Sequence, residues 1–121
     1  MYTPAMIAAE KLRALCQQMD EYEQRKNPAS RARDFYDLHA CIRYARVDLT
    51  EHRALMEGIF ASKDVPLGLL RLLPEERHRE FHRRSWSAVE AAVTGEVLEP
   101  FDFYFDFVCA EVARLQAAGM V

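Results

Sequence analysis

Two short stretches hold the side chains whose types and spacing could do chemistry: Glu10-Lys11 near the start, and Arg33-Asp34-Phe35-Tyr36-Asp37 further on. A lysine at the edge of an apolar helical stripe can hold its ammonium over a neighbouring helix. There it would meet a carboxylate, or the phosphates of a nucleotide lying between the two helices. Asp34, Asp37 and Cys41 fall at i, i+3 and i+7, so both carboxylates share one side of a helix. The plainer reading is an interhelical salt bridge, worth about 0 to 1 kcal/mol where exposed.

A second pattern is Arg77-His78-Arg79-Glu80-Phe81-His82-Arg83-Arg84, the strongest local positive run. Arg77, Arg79, Arg83 and Arg84 are candidate contacts to a polyanion, with Phe81 and Trp86 available to stack on bases. The alternative is a solvated helix face with cations near its C-terminus. Glu90, Glu96, Glu99, Asp102, Asp106 and Glu111 follow with no intervening Lys or Arg. This acidic end is expected to repel nucleic acid and to pair with basic segments of this chain or another.

The elements that must position these groups are helical. Only four glycines and five prolines occur, and apolar residues recur at three- and four-residue spacing, which predicts an all-α fold, an irregular bundle of five or six helices. Thr3-Pro4 reads as a cap and first turn, with Ala8, Leu12, Leu15, Cys16 and Met19 on one side of a helix to about Gln24. Asn27-Pro28 stops a helix, and Ser30 can cap the next, which runs to about Arg46 with Phe35, Leu38, Ile42 and Ala45 inward. Asp48 with Glu51 is a capping box opening a helix to about Lys63 that buries Leu55, Met56, Ile59 and Phe60. A short apolar segment, Leu67 to Leu73, precedes a helix opening at Pro74-Glu75-Glu76. Ser87 with Glu90 forms another capping box, with Trp86 as its staple. Phe101 to Phe107 alternates like a strand, yet Val108, Val112 and Leu115 continue a helical stripe, so a helix to about Ala118 is expected, closed by Gly119.

With 121 residues and 14.0 kDa the chain is expected to be one domain, 1–121. A net charge of −3 excludes a histone-like polybasic protein. No run reaches the roughly 18 to 20 apolar residues of a membrane span, and the start lacks the basic and apolar regions of a secretory signal, so no membrane association and a cytoplasmic location are expected. Cys16, Cys41 and Cys109 are far apart with no CxxC pair, so they read as small buried thiols and no metal site is expected. Phe103 and Phe107 would lie opposite Phe101, Tyr104 and Phe105, making the last helix apolar on two faces. That is more than a small bundle covers, and points to a further core or a second copy of the chain, a homodimer through this aromatic helix.

The segment from Tyr2 to Leu15, with Thr3-Pro4 and Glu10-Lys11-Leu12-Arg13-Ala14-Leu15, followed by Arg33-Asp34-Phe35-Tyr36-Asp37-Leu38, resembles the third and fourth motifs of AbiEii/AbiGii-type nucleotidyltransferases. These are the toxins of type IV toxin–antitoxin systems. The resemblance implies that Lys11 is the family's nucleotide-phosphate lysine and Asp34 its fourth-motif aspartate, the two catalytic positions of a complete enzyme, with Glu10, Arg33 and Asp37 in support. It also implies a nucleoside triphosphate and magnesium as cofactors, an antitoxin partner, and tRNA as a candidate acceptor. The family's first motif, of the form G-[GS]-S-x-x-D-x-D, does not occur in this sequence. The expectation is therefore a C-terminal helical half-site, from a split or truncated member, an excised domain or a shortened homologue, inactive by itself and needing no cofactor alone.

Two other readings stand beside it. One is a stand-alone helical interaction module that dimerises. The other is a HEPN-type ribonuclease, whose R-x(4–6)-H pair moves a proton of the 2′-hydroxyl while arginine steadies the phosphate. Arg33 with His39, Arg46 with His52, Arg71 with His78 and Arg77 with His82 all fit that spacing.

Overall fold

The computed structural model describes residues 2–121 as six α-helices and two short 3-10 segments, with no strand among the described residues. The helices are α1 (Pro4–Cys16), α2 (Ala32–Arg43), α3 (Arg53–Ala61), α4 (Glu76–Arg83), α5 (Trp86–Ala92) and α6 (Phe101–Ala117). The 3-10 segments are Leu49–Glu51 and Leu67–Leu72. The all-helical expectation holds, and the aromatic run at Phe101 to Phe107 is helical rather than extended. Helix wins there because the i, i+3, i+4 stripe of Phe101, Tyr104, Phe105, Val108, Val112 and Leu115 is buried throughout.

One core unites the chain. α1 packs on α2 and α3, and α2 lies in turn between α1, α5 and α6. Ala8 and Ala9 are fully buried and let α1 approach its neighbours closely, while Leu12, Leu15, Phe35, Leu38, Met56, Phe60, Leu70, Leu73 and Phe105 fill the interior. Phe35 is the centre of an aromatic cluster, with ring centroids of Phe101, Phe105 and His82 at 5.4, 5.3 and 5.2 Å.

Several boundaries differ from the sequence reading for identifiable reasons. α1 ends at Cys16, not Gln24, because Gln18, Met19, Tyr22 and Arg25 each donate a backbone bond three residues back, giving a chain of tight turns. Met19 and Tyr22 remain buried within those turns, which imitates a continuing helical stripe. α2 stops at Arg43, and Arg46 takes a positive φ of 58°, so Ala45 is exposed instead of joining the core. Asp48 does cap, but what it caps is the 3-10 turn, through Thr50 N at 3.1 Å; α3 starts separately at Arg53 and ends at Ala61. Leu55 and Ile59 are only half-buried. Gly119, at φ 72°, closes α6 as expected. Cys16 is buried, whereas Cys41 and Cys109 are half-buried.

The start of α2 is held by residues far along the chain. Ser30 does not cap α2; its hydroxyl donates to His82 O at 2.9 Å and lies 2.7 Å from Ser85 Oγ. Arg31 N donates to His82 Nδ1 and Ala32 N to Ser85 Oγ, both at 3.0 Å. Ser85, at the N-cap position of α5, thus satisfies an orphan donor of α2 instead of its own helix, and α5 begins at Trp86 with no use of Ser87. Replacing Ser85 with Ala is expected to cost about 1 kcal/mol in urea unfolding, the typical worth of an N-cap. A loss below a few tenths would remove this capping role.

Candidate functional site

The lysine and the two aspartates meet where α1 crosses α2. Lys11, one position off the buried Leu12, sits at the edge of the α1 stripe and reaches across the seam. Its Nζ lies 3.1 Å from Asp34 Oδ1 and 3.1 Å from Asp37 Oδ2. Arg31 Nε pairs with the other Asp34 oxygen, and Arg33 Nε stands 3.4 Å from Asp37 Oδ1. Asp34 is buried, whereas the Lys11 side chain keeps 28% of its surface exposed. Three cations thus surround two carboxylates at the rim of the core, leaving one positive charge in excess.

Burial opposes the Lys11 charge, but Asp34 and then Asp37 outweigh it and hold its pKa above the ordinary lysine value. The sign follows: what the pair contributes to folding is full below that ordinary value and is lost only as pH climbs through the raised one. Lys11 therefore keeps its charge at neutral pH. Nearby, burial and then Asp37 push the Cys41 thiol upward, so it is no thiolate.

These carboxylates do not fit a magnesium ion. All four oxygens of Asp34 and Asp37 already face Lys11, Arg31 or Arg33, and no group of three or more His, Cys, Asp or Glu among the described residues is arranged to hold a metal. Glu10 also turns away from the seam, toward Arg13 at 3.8 Å; Arg13 in turn ties α1 to α3 through Ile59 O at 3.3 Å.

The basic run on α4 is matched to acids of its own chain. Arg77 pairs with Glu21 and Glu75 at 2.7 Å each, Arg79 with Glu76, Asp102 and Asp106 at 3.0 Å, and Arg83 with Asp102 at 2.8 Å. Arg84 stacks over Phe81, its guanidinium carbon 5.2 Å from the ring centroid. Trp86 is buried against Phe101 and Tyr104 and presents no free face for a base. His78 and His82 are buried too; His78 Nδ1 lies 2.8 Å from Leu72 O, and His82 Nδ1 accepts from Arg31 N.

Fold and site together define an all-helical protein with a lysine held at an inter-helix seam by paired carboxylates. A family model described as nucleotidyl transferase AbiEii toxin, type IV TA system, matches residues 1–107, and the chain belongs to that family. No match was found among curated proteins or among solved structures. The match spans both stretches that build the seam and the aromatic start of α6.

Sequence reasoning missed Arg31, assigned to a loop, although its i, i+3 spacing to Asp34 would have revealed it once α2 was known to begin there. It also missed His82 and Ser85 as the anchors of α2. No local pattern announces those, because the partners lie about fifty residues apart.

Proposed function

We propose that this chain, acting as a single helical domain, lends the Lys11 ammonium to the phosphates of a nucleoside triphosphate in AbiEii-type nucleotidyl transfer. Asp34 positions that ammonium, and Asp37, itself held by Arg33, steadies it; Glu10 supports the same turn of α1 through Arg13. The observation that carries this reading is a lysine fixed 3.1 Å from each of two carboxylates and still more than a quarter open to solvent. A purely structural ion pair has no need of a third cation, whereas the surplus charge suits an incoming phosphate.

The chemistry of transfer needs metal to bridge and neutralise the phosphates, and the carboxylates for it are assigned to a nucleotidyltransferase core outside these residues. The chain alone is accordingly inactive. An antitoxin is the partner that family membership suggests, tRNA is the proposed acceptor, and the cytoplasm is the proposed location; no helix among the described residues is long and apolar enough to cross a membrane.

The test is nucleoside triphosphate binding by the chain, read by calorimetry, in wild type and Lys11→Met. Methionine keeps the apolar stem and leaves Asp34 with Arg31 and Asp37 with Arg33, so the fold is expected to lose no more than about 1 kcal/mol. Binding is expected to fall at least roughly tenfold, the scale of one lost charge-assisted contact. Equal binding by both proteins, or none by wild type, removes Lys11 from the role. Transfer of labelled nucleotide by the chain alone would remove the need for a separate core.

A further inference from the structure

On the wheel of α2, the side opposite Asp34 and Asp37 presents His39 to the aromatic start of α6. The His39 ring meets Phe107, Phe103, Tyr104 and Tyr44 edge-on, at centroid distances of 4.8, 5.3, 5.3 and 5.8 Å. Burial and then Arg43 hold His39 below the ordinary imidazole value, so the ring is neutral at pH 7 and packs as one more aromatic.

Exposed apolar groups gather around this hub. Tyr44 is 79% exposed, Phe103 44% and Val97 100%. Tyr44 forms a wall between two hollows. One, of about 400 Å³, is lined by Tyr36, His39, Glu96 and Val97; the other, of about 560 Å³, by Arg43, Arg46 and Phe107 together with Asp48 and Glu111, both of which Arg114 pairs, so this flank keeps a net positive charge. The flanks differ in sign. Glu96 accepts a hydrogen bond from the Tyr36 hydroxyl, and neither Glu96 nor Arg43 nor Arg46 makes an ion pair among the described residues.

An apolar centre with an acid on one flank and two arginines on the other becomes complementary to itself after a half-turn. A partner of one charge sign would be repelled on one flank, and a neutral partner would leave both flanks unmatched. We propose that this face binds a second copy of the chain about a two-fold axis, each copy's Arg43 and Arg46 facing the other's Glu96, with Tyr44 seated in the hollow beside the opposing His39. The lysine seam lies on the far side of α2 and stays open in such a dimer, so this proposal and the nucleotide role stand or fall separately.

Sedimentation velocity over a concentration series tests it. Wild type is expected to dimerise. Tyr44→Asp and Phe103→Asp, both at exposed positions, are expected to be monomeric with unchanged helical circular dichroism. Arg43→Glu and Glu96→Arg are each expected to weaken self-association by roughly tenfold or more, because like charges then face one another across the axis. Mixing those two variants in equal amounts is expected to restore the dimer, since each acid again finds a base. A wild type monomeric at every concentration overturns the proposal. So does a dimer indifferent to Tyr44→Asp and Phe103→Asp, or a mixture that associates no better than its parts.

Discussion

Phe35→Ala is expected to remove about 3 to 5 kcal/mol of stability, the cost of emptying a phenylalanine site in a packed core. The side chain is fully buried and touches rings from two other helices, Phe101 and Phe105 of α6 and His82 of α4. None of these can swing in to fill the space without giving up its own packing. Against a total of about 5 to 15 kcal/mol for a domain of this kind, that is a large fraction, and the thermal midpoint should drop by about 10 to 20 °C. Phe35→Leu keeps most of the volume and should cost about 1 to 2 kcal/mol. Both are read from circular dichroism melts and urea titrations. A loss under about 1 kcal/mol for the alanine variant would mean that the cluster is not the keystone the geometry makes it.

Mild acid should weaken the fold by protonating a buried histidine. Burial pushes His82 down to about 4, with His78 and Arg31 adding to the effect. Its Nδ1 accepts from Arg31 N, so the neutral ring is the form that the fold requires. A base with a lowered folded pKa contributes stability that is whole above its unfolded value of about 6.5 and drains away as pH falls toward the folded one. The full difference is about 3 kcal/mol, and most of it should appear between about pH 6.5 and pH 4.5. The acids with lowered values, Glu21, Asp48 and Asp102, start from ordinary values of 4.5, 3.8 and 3.8, so what they contribute is lost mainly below that window. His82→Asn retains an acceptor for Arg31 N and has no proton to gain, so its stability should be nearly flat over the same range. Parallel pH profiles for the two proteins would show that His82 does not carry the acid response.

The all-helical class was legible because hydrophobic periodicity is a local signal, and it survives even at Phe101 to Phe107, where alternation competes with it. Helix ends were less so. Met19 and Tyr22 are buried from turns, yet on a wheel they extend α1; Asp48 and Glu51 have the letters of a capping box while Asp48 caps a 3-10 turn. The convergence of Lys11 with Asp34 and Asp37 was readable because each group lies at a helix-face position fixed by spacing. Arg31, His82 and Ser85 were not readable, since what they do depends on two helices meeting in space. The arginines of α4 show the same limit: a positive run in the sequence becomes a set of closed pairs once α6 lies beside it, and Asp102 and Asp106 could be matched to Arg79 and Arg83 only in three dimensions.

The borrowed cap on α2 imposes an order on synthesis. Arg31 and Ala32 give their amide protons to His82 and Ser85, so the opening turn of α2 goes without these two partners while a ribosome has yet to extrude that later stretch. Asp34 sits in that same turn, one helical step from the borrowed caps. A nascent chain carrying every residue of the charged seam would hold it on a helix end weaker by about 1 kcal/mol for each missing cap until Ser85 had emerged.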